Sequence, residues 1–299
     1  MAEKKKAWSV SDLPDLTGRT VVVTGGNSGI GFTAADALAR AGARVVLAVR
    51  DPERGRAAAA RIGDGAEVRR LDLADLSSVR EFAAEWAGAP LHTLINNAGV
   101  MMLPKQSTAD GFERQFGTNH LGHFALTNLL LPYVTDRVVT VSSGLHRSGV
   151  IDFDDPNLAT SYTPQRAYAQ SKLANLLFTL ELQRRLAESG SSVRALAAHP
   201  GWAATNLQSH TANPVARLFM RVGNVLFAQN DRAGALPTLY AATQDLPGAS
   251  YVGPGGMGEM RGAPTLVGRS AAASDADAAR RLWVLSEELT GVRSGLSVG

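Results

Sequence analysis

TVVVTGGNSGIG, residues 20–31, is the stretch on which the fold turns. Its first five residues are a β-branched apolar run, as expected of a strand covered on both faces. From Thr24 to Gly31 the chain becomes a glycine-rich turn that opens a helix expected over residues 29–41. In a parallel α/β sheet, such a junction offers backbone N–H groups and a helix N-terminus to a dinucleotide pyrophosphate. Gly25, Gly29 and Gly31 are spaced T-G-x-x-x-G-x-G, not as the G-x-G-x-x-G of the common fingerprint. Glycines alone also serve a plain tight turn, and it is their place in the first strand–helix unit that adds weight. On the nucleotide reading, Gly25, Asn27, Ser28, Gly29, Ile30 and Gly31 line the turn.

Beyond this stretch, short apolar runs alternate with helical patterns. Further strands are expected at residues 44–49 (RVVLAV), 67–71, 91–96, 137–142 (RVVTVS) and 193–198, with a seventh near 249–252. Between them lie an Ala- and Arg-rich helix, helices near 76–86 and 112–131, and the helix carrying AYAQSKLANLLF, residues 167–178. Alternation of this kind implies an α/β fold with a parallel sheet covered on both faces. No linker breaks it before residue 200. One domain is therefore expected over residues 18–299, after a mobile N-terminal segment, 1–17. A C-terminal helix over 274–289 would be capped by Ser274 and stopped by Gly291.

Composition removes several function classes. The chain of 299 residues is 45% apolar, enough for a sizeable core, and has no cysteine, hence no disulfide or thiol nucleophile. A net charge of +3 is spread thinly outside Lys4–Lys6, so no nucleic-acid face is expected. There is no run long and apolar enough for a membrane span and no secretory h-region, which leads to an expectation of a cytoplasmic protein. The six histidines contain no H-E-x-x-H. His120 and His123 lack an evident third ligand, so no metal is expected.

The end of the second strand bears on the cofactor. A carboxylate there would bond both ribose hydroxyls of NAD, but the sequence reads Ala48-Val49-Arg50-Asp51. Arg50 can pair with a 2′-phosphate, so NADP(H) is expected over NAD(H). The alternative is a surface Arg50 with Asp51 bonding the ribose. Three further signals close later strands: Asn97, Ala98 and Gly99 after the fourth, Ser142 and Ser143 after the fifth, and Pro200, Gly201 and Thr205 after the sixth.

TGGNSGIG, NNAG, GTNHLGHF, VSS, YAQSK and HPGWAAT stand in the order of the short-chain dehydrogenase/reductase superfamily, which the chain resembles over about residues 18–252. AVRD, IDFDD, SKLANLLF and YVGPGGMGEMRG are similar to the retinol-dehydrogenase-like branch, which also holds the oxidoreductase part of WW-domain oxidoreductases. The resemblance implies a Rossmann-like, doubly wound sheet of seven parallel strands. It makes Tyr168 the proton donor or acceptor, Lys172 its partner and Ser143 the hydroxyl on the substrate oxygen, with Ser142 a competitor. Asn119 would support a proton-relay water, and Asp72 and Leu73 would meet the adenine. Many animal relatives carry a membrane anchor, and on this sequence a lipid-bound role is not expected.

Tyr168 and Lys172 then have a chemical purpose. A free phenol, with pKa about 10, is a poor base at neutral pH. An ammonium about 4 Å away is worth roughly 4 kcal/mol at an effective dielectric near 20, which lowers that pKa by about 3 units at most. The expected activity is hydride transfer between NADP(H) and an alcohol or carbonyl substrate. Rival readings are a nucleotide-sugar epimerase or dehydratase, and a redox-sensing NADP(H)-binding module. Apolar residues between 218 and 227 suggest a lid over residues 200–230 and a lipophilic substrate, with a homo-oligomer contact as the alternative.

Overall fold

The computed structural model describes residues 7–86, 88–201 and 231–296. TVVVT is strand β1 (Thr20–Thr24), and it is followed by helix α1 (Gly29–Arg40). Then come β2 (Arg44–Val49), α2 (Pro52–Ile62), β3 (Ala66–Arg70), α3 (Leu76–Ala84) and β4 (Leu91–Asn96). Residues 114–130 are helical in three pieces: α4 (Arg114–Phe116), a π-helical turn (Gly117–Leu121) and α5 (Gly122–Leu130). Strand β5 (Val134–Val141) leads to α6 (Pro164–Glu188) and β6 (Arg194–Ala198). The last elements are α7 (Asp231–Thr243), β7 (Tyr251–Pro254), β8 (Pro264–Leu266) and α8 (Ala276–Thr290).

The strands form one sheet in the order β3-β2-β1-β4-β5-β6-β7-β8. Alternate side chains of β1 go to opposite faces. Val22 joins the layer of Phe82, Phe124, Phe178 and Trp283, supplied by α3, α5, α6 and α8. Val21 and Val23 join Leu38, Ala58 and Leu239 of α1, α2 and α7. Removing each such side chain from water contributes about 1.5–3 kcal/mol, which is why these strands read as continuous apolar runs. No helix among the described residues is long and apolar enough to cross a membrane.

Four expectations need correction. The sheet has eight strands, not seven, and is mixed: β8 runs antiparallel to β7, with Val252 opposite Leu266 and Pro254 opposite Pro264. Prolines are tolerated at such an edge, where ladder donors can be spared. The C-terminal helix is capped by Asp275, not Ser274; the Asp275 carboxylate accepts from Asp277 N and Ala278 N, both at 2.9 Å. Gly291 does stop it, in the left-handed conformation (φ 63°). The expected helix over 112–131 starts later, because the Phe112 N–H is held by Thr108 Oγ1 and Glu113 caps α4. Finally, the segment before residue 18 is packed where it is described: Trp8 meets Tyr240 edge-on at 5.2 Å and Leu16 is buried.

Candidate active site

Because β1 to β7 are parallel, their C-terminal ends share one edge, and the expected site residues outside the helices follow those ends. The glycine turn is shaped by close approach. A Cβ on Gly31 would lie 2.4 Å from Asn97 Nδ2 and 2.6 Å from Gly25 O. Gly25, at φ 66°, leaves 3.0 Å between a Cβ and that of Ala98. Asn97 secures the pairing by donating Nδ2 to Thr24 O at 2.8 Å. Gly29 differs: around it there is open space.

The start of α1 fits an anionic group. Aspartates cap α2, α3 and α8, whereas Ser28 at the N-cap of α1 makes no side-chain cap bond. The first-turn N–H groups of α1 are thus left without a side-chain cap, at the positive end of the helix. Two residues past the end of β2, Asp51 is already engaged, accepting from Glu53 N at 3.0 Å and Arg54 N at 3.2 Å as the cap of α2. Arg50 beside it is exposed, while Val49 is buried under α2, in contact range of Gly55. Asp72 caps its own turn through Ala74 N, and Leu73 is buried against Gly122 of α5.

Helix α6 delivers the reactive pair. Thr163 caps it by accepting from Arg166 N at 3.1 Å, and Pro164 sets its first turn. Tyr168 and Lys172 fall one turn apart and are both buried, with Lys172 Nζ 5.6 Å from the Tyr168 ring centre. The ammonium donates to Val141 O at 3.0 Å. Ser143, just past β5, accepts from Leu145 N at 3.2 Å and lies near enough to the Tyr168 phenol to oppose the rise of its pKa. Ser142 is turned the other way, donating to Lys172 O at 2.8 Å from a buried position. Ser142 is thus committed to the α6 backbone, while Ser143 is the hydroxyl that acts on the phenol.

Asn119 lies in the π-helical turn. Its carboxamide both accepts from Val100 N (2.8 Å) and donates to Val100 O (2.9 Å), and it donates to Ser171 Oγ (2.9 Å). It thereby joins the loop after β4 to α6, close to Lys172: a Cβ on Gly99 would sit 3.2 Å from Asn119 Oδ1 and 3.6 Å from Lys172 Nζ. Pro200 and Gly201 follow β6, with Gly201 at φ 70° packed on Met260 O. Thr205 and the expected lid lie outside the described residues, apart from the lid's first two positions.

Electrostatics correct one expectation. Tyr168 is not lowered; burial pushes it up to about 12, with Ser143 opposing. Burial also pushes Lys172 down to about 8. The phenol is protonated at neutral pH. Lys172 is mostly charged there and donates to Val141 O from its buried position.

Sequence reasoning missed His123, which touches both Thr24 and Asn119, and His199, whose Nε2 lies 3.1 Å from Glu259 Oε2. Both stand inside quoted motifs, GTNHLGHF and HPGWAAT, so the signal was present in position but not in role.

The family profile of the short chain dehydrogenases matches residues 19–215. Human (Homo sapiens) retinol dehydrogenase 13 is 43% identical, over 93% of this chain and 86% of its own. Mouse (Mus musculus) polyprenol dehydrogenase is 42% identical, over 96% and 88%. A crystal structure of an uncharacterized protein from Mycobacterium paratuberculosis has 53% identity and a TM-score of 0.85, covering 97% of this chain and all of that one. With the glycine turn, the π-turn asparagine and the Ser143–Tyr168–Lys172 group on one sheet edge, the chain belongs to the short-chain dehydrogenase/reductase family, in its retinol-dehydrogenase-like branch.

Proposed function

We propose that this chain is an NADP(H)-dependent oxidoreductase acting on a lipophilic alcohol or carbonyl compound. The observation that carries the reading is the meeting of Ser143, Tyr168 and Lys172 beside the open turn at Gly29. When bound, the nicotinamide would supply and receive the hydride. The chain's own residues handle the substrate oxygen and its proton. Ser143 and Tyr168 present two hydroxyls to one oxygen, and a phenol kept protonated by burial is ready to give its proton to a carbonyl. Running the reverse way requires the phenolate, which the charge of Lys172 favours.

The preference for NADP(H) is supported by the residues after β2. Asp51 is engaged in capping α2, which competes with bonding a ribose diol, and Arg50 beside it is exposed. The lipophilic substrate is supported by the apolar residues 218–227 and by the retinol and polyprenol dehydrogenases among the relatives.

An NADPH-oxidation screen across lipophilic aldehydes, ketones and quinones tests the reading; turnover is expected for at least one class. Tight NADPH binding with no turnover across the panel would favour a sensing module instead. Arg50→Ala should lower kcat/KM with NADPH about 10–100-fold, the worth of a charge-assisted bond, and leave NADH unaffected. Equal efficiency of the wild type with both cofactors would make Arg50 a plain surface residue.

A further inference from the structure

Buried histidines usually fill space or bind metal. His123 does neither simply, because both of its ring nitrogens are committed to backbone or side-chain atoms of the site. Nε2 lies 2.9 Å from Thr24 Oγ1, at the end of β1, and Nδ1 lies 3.0 Å from Asn119 O in the π-helical turn. The ring is 1% exposed, so water cannot take either bond.

The donors can be assigned by counting. Thr24 Oγ1 already accepts from Asn97 N and Ala98 N, each at 2.9 Å, so both its lone pairs are used. Its proton is the group's remaining capacity, and its nearest acceptor is His123 Nε2; Ile95 O stands farther off at 3.4 Å. An Nε2 that accepts leaves the ring proton on Nδ1, where Asn119 O is the acceptor. One neutral imidazole satisfies every group. A protonated ring would set an Nε2–H against an oxygen whose lone pairs are spent, and burial with the charge of Lys172 nearby pushes His123 down to about 4.

We propose that His123 is a positioning residue that ties the cofactor-side turn at Thr24 to the backbone of Asn119, and so sets the spacing between the bound cofactor and the Tyr168–Lys172 pair. On its Thr24 side the tie fixes Asn97 and Ala98, on which Gly25 and Gly31 pack. On its Asn119 side it fixes the residue whose carboxamide holds Val100 and Ser171, the latter bonded in turn to Tyr168 O at 2.8 Å. A displacement at either end therefore reaches the other through one rigid ring. This inference rests on the oxidoreductase reading for its kinetic consequence, but not for its hydrogen-bond pattern.

Two conservative substitutions separate the ends. In His123→Gln the side-chain oxygen reaches the place of Nε2 and can accept from Thr24, with nothing left for Asn119 O. In His123→Asn the amide nitrogen takes the place of Nδ1 and can donate to Asn119 O, with Thr24 released. His123→Gln should keep the NADPH Kd, measured by fluorescence, and lose kcat about tenfold, the worth of one buried hydrogen bond. His123→Asn should show the opposite split, a weaker Kd with kcat held. Nitrogen-15 NMR of the full chain should find His123 in the Nδ1–H tautomer and not titrating between pH 5.5 and 8, the range about its ordinary pKa. Parallel losses in kcat and Kd that follow the melting temperature, or wild-type values in both variants, would overturn the proposal. So would an Nε2–H tautomer or titration near pH 6.5, the ordinary value. If wild type binds no NADPH, the functional reading falls while the tautomer still decides whether the tie exists.

Discussion

At Tyr168 a single oxygen separates two explanations of the site. Tyr168→Phe removes the proton and keeps the buried ring, so folding and cofactor affinity should persist. General acid–base groups contribute about 10²–10⁴-fold, and kcat should fall by that much. A variant retaining more than about a tenth of kcat would show that this phenol does not move the proton. Lys172→Met should damage more than one step, because the ammonium holds Val141 O and lies 5.6 Å from the Tyr168 ring centre. Both kcat and NADPH Kd should suffer in that variant, as stopped-flow binding and steady-state rates can show. At this scale the sequence was informative about identity and silent about assignment. Y-x-x-x-K, NNAG and VSS pointed to the right edge of the sheet. Which of Ser142 and Ser143 meets the phenol depended on a turn after β5, and the raised pKa of Tyr168 depended on burial, which no local pattern reports.

Among the elements, the helical stretch over 114–130 shows how pattern and geometry part company. GTNHLGHF carries apolar residues at ordinary helical spacing, yet residues 117–121 form a π-turn in which Gly122 N bonds Gly117 O. The glycine that closes this turn is also fixed across an interface. A Cβ on Gly122 would sit 2.3 Å from Leu73 O, so α5 can lie against the loop after β3 only through a glycine. Gly122→Ala should therefore force the two apart, at a cost of about 1–3 kcal/mol for overpacking. Activity should fall further than stability, since Asn119 moves with the turn; thermal melts and kcat on one preparation would separate the two effects. A change in Tm without a change in kcat would mean that the turn's register is not what places Asn119. Strand β8 was illegible for another reason. Three residues, Pro-Thr-Leu, carry no period, and their pairing with β7 depends on the reversal through residues 255–263. The buried parallel strands were legible because two-sided burial writes itself into sequence as unbroken apolar runs.

Over the whole molecule, buried neutral histidines couple the fold to acid. His120 bonds Ser286 of α8 and is pushed down to about 3 by burial, with His123 adding to the shift. His123 and His199 are each pushed down to about 4, again chiefly by burial. Near pH 6.5 these rings begin to take up protons in the unfolded chain, while in the folded chain they do not until about pH 4. The unfolded state then binds more protons, so stability rises with pH across that window and is lost as pH falls. Each ring contributes about 1.4 kcal/mol per pH unit once its unfolded form is fully protonated, so the three together give a steep upper slope of about 4 kcal/mol per unit. Urea unfolding at several pH values between 5 and 6.5 should show the slope developing before most carboxylates titrate. His120→Gln, whose amide can still reach Ser286, should remove at most about a third of it, because His146 is also pushed down by burial and shares the slope. A stability that is flat from pH 6.5 to 5 would mean that these rings are protonated in the fold, and the neutral His123 between Thr24 and Asn119 would fall with it.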